Sequence, residues 1–153
     1  MIARNVLLSA LAMTALPALA QPRPVLSCPV VQPTVKNGAR PDPELLKNLV
    51  RCSKGEKPAE KGFDGAVTVD VAALQVGESR KWSPSRDSGN GKLETIVYPV
   101  KVTYSVRTHY RTRIAAEDNA IRILNFYVNA FGEWQSGSEE PVKSAEVKSI
   151  PLK

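Results

Sequence analysis

Histidine is nearly absent from this chain of 153 residues; His109 is the only one. Every Ser-His-Asp or Cys-His nucleophilic site would have to use it. A zinc site would have to draw most of its ligands from carboxylates, and none stand at the usual close spacing. No metal and no cofactor is therefore expected. Cysteine is scarce as well. Cys28 and Cys52 are the whole supply, with no C-x-x-C, so a catalytic or metal-binding thiol lacks partners. Beyond residue 20 no apolar run approaches the roughly 20 residues that a membrane-crossing helix needs. There is no internal repeat. Gly89-Asn90-Gly91-Lys92 lacks the four residues that separate the glycines of a phosphate loop, and Leu93 stands where Ser or Thr belongs. It reads as a turn.

What is present begins with an export pattern. Met1 to Asn5 carries Arg4, an apolar run extends from Val6 to Leu16, and Pro17 precedes Ala18-Leu19-Ala20. That order is the secretory-signal order, with cleavage expected after Ala20 and a periplasmic or extracellular destination. Residues 1–20 are assigned to the signal, 21–41 to a proline-rich extended arm, and 42–153 to a single domain. After residue 20 the chain carries 20 Lys and Arg against 15 Asp and Glu, a net +5. In an oxidising compartment a lone cysteine pair is expected to bond, so Cys28–Cys52 is read as a structural bridge. The competing reading takes Val25-Leu26-Ser27-Cys28 as a lipobox with Cys28 acylated. Pro22, Arg23 and Pro24 separate that tetrapeptide from the apolar run and argue against it.

Six prolines between Pro22 and Pro43 exclude a helix in the arm. A helix follows. Asp42 suits the N-cap, Pro43 the first helical position and Gly55 the left-handed C-cap. Leu45, Leu46, Leu49 and Val50 form one apolar stripe. From Ala66 the period becomes two, with Val67, Val69 and Val71 on one face. A short strand is expected from Glu78 to Trp82, then turn chemistry from Ser83 to Gly91. Ile96 to Tyr110 alternates as one long strand, with Arg111 and Arg113 continuing its polar parity. Pro99 predicts an edge position or a bulge. Glu117-Asp118-Asn119 is expected to be the turn, and Ile121 to Val128 the partner strand. The apolar phase of that partner slips near Leu124, which predicts a bulge or burial on both faces. Asn129 to Trp134 reads as a tight hairpin, and Val142 to Ile150 as a final strand.

The predicted class is α+β: one N-terminal helix on a curved antiparallel sheet of about four to five strands. The element order is similar to that of cystatin-like and NTF2-like domains, in which a curved sheet wraps a helix. That likeness is architectural and carries no function.

Three candidate sites follow from the pattern. Lys101, Arg107, His109, Arg111 and Arg113 share one parity and predict a basic strand face for an acidic protein or an anionic polymer. Tyr98, Tyr104 and Tyr110 fall on the opposite parity, so no stacking platform interleaves with the charges and nucleic acid is disfavoured. Trp134, after its tight turn, is a candidate binding residue. No catalytic residue stands out. Asp70, among valines, is the weak candidate for a base in a cavity, with Tyr98, Tyr104 or Tyr127 as the acid. The expected function is a non-enzymatic exported binding domain. The alternatives are that cavity enzyme and a structural envelope component.

Overall fold

A computed structural model describes residues 26–59, 65–82 and 95–153. The expected signal segment, the start of the arm, the end of the charged loop after the helix, and the turn-rich stretch from Ser83 lie outside the described residues. The chain is α+β. Its described residues form α1 (Pro43–Ser53), β1 (Val67–Val76), β2 (Arg80–Trp82), β3 (Thr95–His109), β4 (Arg113–Val128), β5 (Trp134–Lys143) and β6 (Glu146–Pro151). Six strands thus stand where four to five were expected, because the stretch after Trp134 makes two strands and not one.

Local signals set the helix. The Asp42 carboxylate accepts from the backbone N–H groups of Glu44 and Leu45, each at 3.3 Å, and Pro43 fills the first position. At the other end Gly55 takes φ 82°. Its N–H donates to the Cys52 carbonyl at 3.0 Å, while the Glu56 N–H donates to the Arg51 carbonyl at 3.1 Å. That pair of bonds is a Schellman motif, which supplies donors to two of the orphan carbonyls of the last turn. The Arg51 guanidinium then pairs with the Glu56 carboxylate. Leu46 and Val50 face the sheet and are fully buried.

The sheet is antiparallel and has four rows. β3 and β4 form the centre; β1 and then β2 run along the free side of β3, and β5 and then β6 along the free side of β4. In β1 a bulge at Ala72 moves the buried phase from Val69 and Val71 to Leu74 and Val76. Pro99 lies in a central strand, and not at an edge. It faces the break between β1 and β2, where the Gly77 N–H donates to its carbonyl at 2.8 Å. A Cβ on Gly77 would come within 3.0 Å of Pro99, so the crossing needs glycine there.

The chain reverses at Tyr110–Thr112, seven residues before the expected turn. Glu117-Asp118-Asn119 lies inside β4, where the register against β3 shifts between Tyr104 and Val106. Asn119 takes φ 57°, and its N–H donates to Ser105 Oγ at 3.0 Å. The turn chemistry is real, but it makes a bulge. The phase slip in β4 reflects cover on both faces. Leu124, Phe126 and Val128 are buried toward the helix, while Ile121, Ile123 and Tyr127 on the reverse face are half-buried and Asn125 is buried. The register slip near Leu124 belongs to the β4–β5 ladder.

The proline-rich arm closes the core. Cys28 is bonded to Cys52 at the end of α1. Gln32 then reads the edge of β5 as a strand would: its side-chain amide donates to the Trp134 carbonyl at 3.1 Å and accepts from the Trp134 N–H at 2.9 Å. The Val35 N–H donates to the Gly132 carbonyl at 2.8 Å, and the Tyr98 hydroxyl donates to the Gly38 carbonyl at 3.1 Å. Under this strap Trp134 meets Tyr98 edge-on, with centroids 5.8 Å apart.

Gly132 is where arm and hairpin touch. It has φ 80°, and a Cβ there would stand 2.5 Å from Thr34 Cγ2. Gly132→Ala is therefore expected to destabilise by about 1–3 kcal/mol in denaturant titration. It should also red-shift Trp134 emission as the arm lifts. Asp42→Ala, which removes only the cap, is expected to cost about 1 kcal/mol without that shift.

Candidate functional site

The five residues expected to line one strand belong to two places. Lys101 is exposed on the reverse face, between Gln75 and Ile123 in the ladder. Arg107 lies further along the same face and pairs with Asp118 at 3.2 Å. Lys148 of β6 reaches the other oxygen of that carboxylate at 3.6 Å. Ala116, fully buried, sits in register between Arg107 and Lys148. His109 ends β3. Its N–H donates to the Ala66 carbonyl at 2.9 Å, and its carbonyl accepts from the Gly65 N–H at 2.7 Å. Arg111 and Arg113 do not continue the strand. Arg111 is in the turn, and Arg113 opens β4 with its guanidinium 5.1 Å from the Tyr110 ring centroid. The C-terminal segment joins them, since the Leu152 N–H donates to the Thr112 carbonyl at 2.9 Å.

Asp70 does not meet its expected partners. It stands opposite Ser105 in the β1–β3 ladder, on the face away from buried Tyr98 and Tyr104. Tyr127 shares the reverse face but pairs with Val97, eight residues along β3, or roughly 26 Å at the rise of a strand. Tyr98 and Tyr127 already donate, to Gly38 and to Gln135. The described depressions do not include Asp70 in their linings.

Trp134 is placed in the core, 4% exposed. The aromatic that its hairpin presents is Phe131, 81% exposed, held up by Asn129, whose Oδ1 accepts from the N–H groups of Phe131 and Glu133. On the helix side, Lys54 Nζ bonds both oxygens of Glu139 at 2.8 and 3.0 Å and lies 5.0 Å from the Tyr104 ring centroid. Arg122 pairs with the same carboxylate at 3.1 Å. Burial lowers the Lys54 pKa, but bonding to Glu139 and Tyr104 outweighs it, and the net shift is upward. The Arg51 pKa is also raised, chiefly by its hydrogen bond to Glu56 and against the cost of burial. The Lys54 cluster fastens the end of the helix to β4 and β5, and the Arg51–Glu56 pair closes the helix onto the loop that follows it.

A groove on the reverse face was not foreseen. Trp82 and Tyr127 wall it, Val97 and Gly137 form its floor, and it encloses about 140 Å³. At one end lies Asn125, the buried polar side chain of the core region. Its Oδ1 accepts from Arg80 at 3.0 Å, and its amide donates to Ser138 Oγ at 2.9 Å and to Glu140 at 3.2 Å. Arg80 also faces Glu140 at 3.8 Å. Trp82 is 50% exposed. The signal for this site was the odd parity of Asn125 and Tyr127, which the bulge reading of β4 absorbed. A second depression of about 170 Å³ lies between the start of α1 and the bulge at Ala72.

Comparison with protein-family models, curated proteins and solved structures finds nothing that matches the chain. Among the described residues no cluster of three His, Cys, Asp or Glu side chains suits a metal ion. Also among them, no helix is long and apolar enough to cross a membrane.

The raised Lys54 pKa has a direction in pH. Its contribution to stability is fully present below the ordinary lysine value of 10.5 and is lost as pH rises through the higher folded value. The stability gap between the parent and Lys54→Met should be constant from neutral pH to about 10 and narrow above the ordinary lysine pKa. Urea titrations across that range measure it, and a gap that widens with pH would reverse the assignment.

Proposed function

We propose that this chain is an exported, non-enzymatic binding domain that holds an acidic protein or an anionic polymer at the basic end of its sheet. One observation carries the reading. The β4–β6 register sets the acid-free segment Val147–Lys153 beside the hairpin tip. The tip belongs to residues 95–116, which contain no Asp or Glu. Arg111, Arg113 and Lys153 thus gather at one end. Arg107 and Lys148 lie behind them and share Asp118. Opposite charge at such an end attracts a partner over about a Debye length, roughly 8 Å at physiological salt. Tyr110 carries Arg113 on its ring, and among the described residues no ladder of exposed aromatics for nucleic-acid bases stands at this end. Export to the periplasm or the outside is supported by the N-terminal charge and apolar pattern together with the Cys28–Cys52 bridge. One helix laid on a long antiparallel sheet supports the architectural likeness to cystatin-like and NTF2-like domains. The enzyme alternative has less support, because Asp70 is distant from Tyr127 and faces away from Tyr98 and Tyr104.

Retention on immobilised poly-glutamate and dextran sulfate tests this reading. The parent domain should bind at low salt and elute as salt rises. Arg111→Glu combined with Arg113→Glu should abolish retention while leaving thermal unfolding in place. Lys36→Glu with Arg40→Glu makes the same change in net charge on the exposed arm and should weaken retention only slightly. Equal losses from the two double variants would mean that net charge alone binds and that the tip is no site.

A further inference from the structure

We propose that the reverse-face groove between Trp82 and Tyr127 is a binding site for a neutral saccharide, seating one sugar ring of a glycan. The inference is independent of the basic end, which lies at the far end of the same sheet.

Three features carry it. The first is the pair of walls. Trp82 at the end of β2 and Tyr127 in β4 are brought to the same face because Arg80 and Val97, and then Val97 and Tyr127, are partners across β2, β3 and β4. Indole and phenol faces stack on the C–H faces of sugars, and a half-exposed Trp82 has such a face to offer. Trp134, the other tryptophan of the chain, is in the core.

The second is charge. Arg80 and Glu140 stand 3.8 Å apart at the end of the groove, and Asn125 bridges them through hydrogen bonds to both. The cation and the carboxylate balance, so the groove offers no net field to an ion. What it offers is donors and acceptors together: the Arg80 guanidinium, the Asn125 amide and the Ser138 hydroxyl, with Glu140 holding Arg80 and Asn125 from outside the lining. A sugar hydroxyl both donates and accepts and fits such a mixed set. A proline-rich peptide, the other common guest of Trp/Tyr grooves, presents carbonyl acceptors and few donors, and would match the donors of this set alone.

The third is size. About 140 Å³ is well below the roughly 300–1,000 Å³ of ordinary ligand pockets. It suits a single ring with the rest of a chain running over the surface. Gly137 lines the space beside Tyr127, and a Cβ there would stand in ordinary contact with the ring, 3.4 Å from Cε1.

The test is a titration of the full domain with β-1,4-linked glucose and N-acetylglucosamine tetramers and an α-1,4-linked glucose tetramer. It is followed through the two indole N–H resonances. At least one tetramer should shift the Trp82 signal at millimolar concentration and leave Trp134 in place, and added salt should not weaken the effect. Trp82→Ala should lower affinity at least about tenfold, the worth of one stacked aromatic. Gly137→Val should block the shift while leaving both aromatic walls intact, and Phe131→Ala should change nothing. Absence of a Trp82 shift with all three tetramers overturns the proposal. So does a shift with a proline-rich peptide alone, which would make the groove a peptide site. Survival of binding in Gly137→Val would place the sugar elsewhere.

Discussion

A helix of 11 residues is about 16 Å long, whereas a strand of 15 residues runs about 50 Å. One helix cannot cover such a sheet, and the rest of the structure answers that shortfall. Leu46 and Val50 seal the middle of the core face. The arm covers the Trp134 end, where backbone and side-chain bonds from Gln32 and Val35 substitute for a strand that is not there. The bridge from Cys28 to the last turn of α1 makes helix and arm one cover. On the reverse face at the hairpin end, buried Ala116 stands in register between the long side chains of Arg107 and Lys148.

That division of cover decides where recognition is possible. The helix side is occupied by packing and by the Arg51–Glu56 and Lys54–Glu139–Arg122 clusters, whose charges are committed to each other. The reverse face and the hairpin tip are the surfaces left. They differ in character: the groove is aromatic with balanced charge, and the tip is basic. The proposed sugar and the proposed anionic partner would therefore meet different residues.

The sequence was most readable where a residue's role is settled by its immediate neighbours. Asp42, Pro43 and Gly55 act within one turn of themselves, and the alternation of Val67, Val69 and Val71 needs only a sheet beneath it. It was least readable where the same local preference serves two geometries. Asn119 does take a left-handed conformation, as its turn-like neighbourhood implied, yet the chain goes straight on. Only pairing with Ser105 decides between a bulge and a reversal. The basic stripe was misjudged for the same reason. An expected turn seven residues too late strings Arg111 and Arg113 along β3 and puts the Asp118 that faces Arg107 in the turn. Gln32 and Asn125 were invisible, because an amide's partners 102 residues away or across three strands leave no mark on sequence periodicity.

An open rim of a sheet invites further strands and, through them, fibres. Here each rim is broken. On one side β1 bulges at Ala72 and gives way to β2 at Gly77; on the other β5 gives way to β6 after Lys143, with Pro141 and Pro151 set in the outer strands. Each proline lacks the N–H that an incoming chain would use. A newcomer could zip along a few residues of either rim and would then lose register. The interruptions that make this sheet irregular thereby also end it, and keep it from templating its own growth.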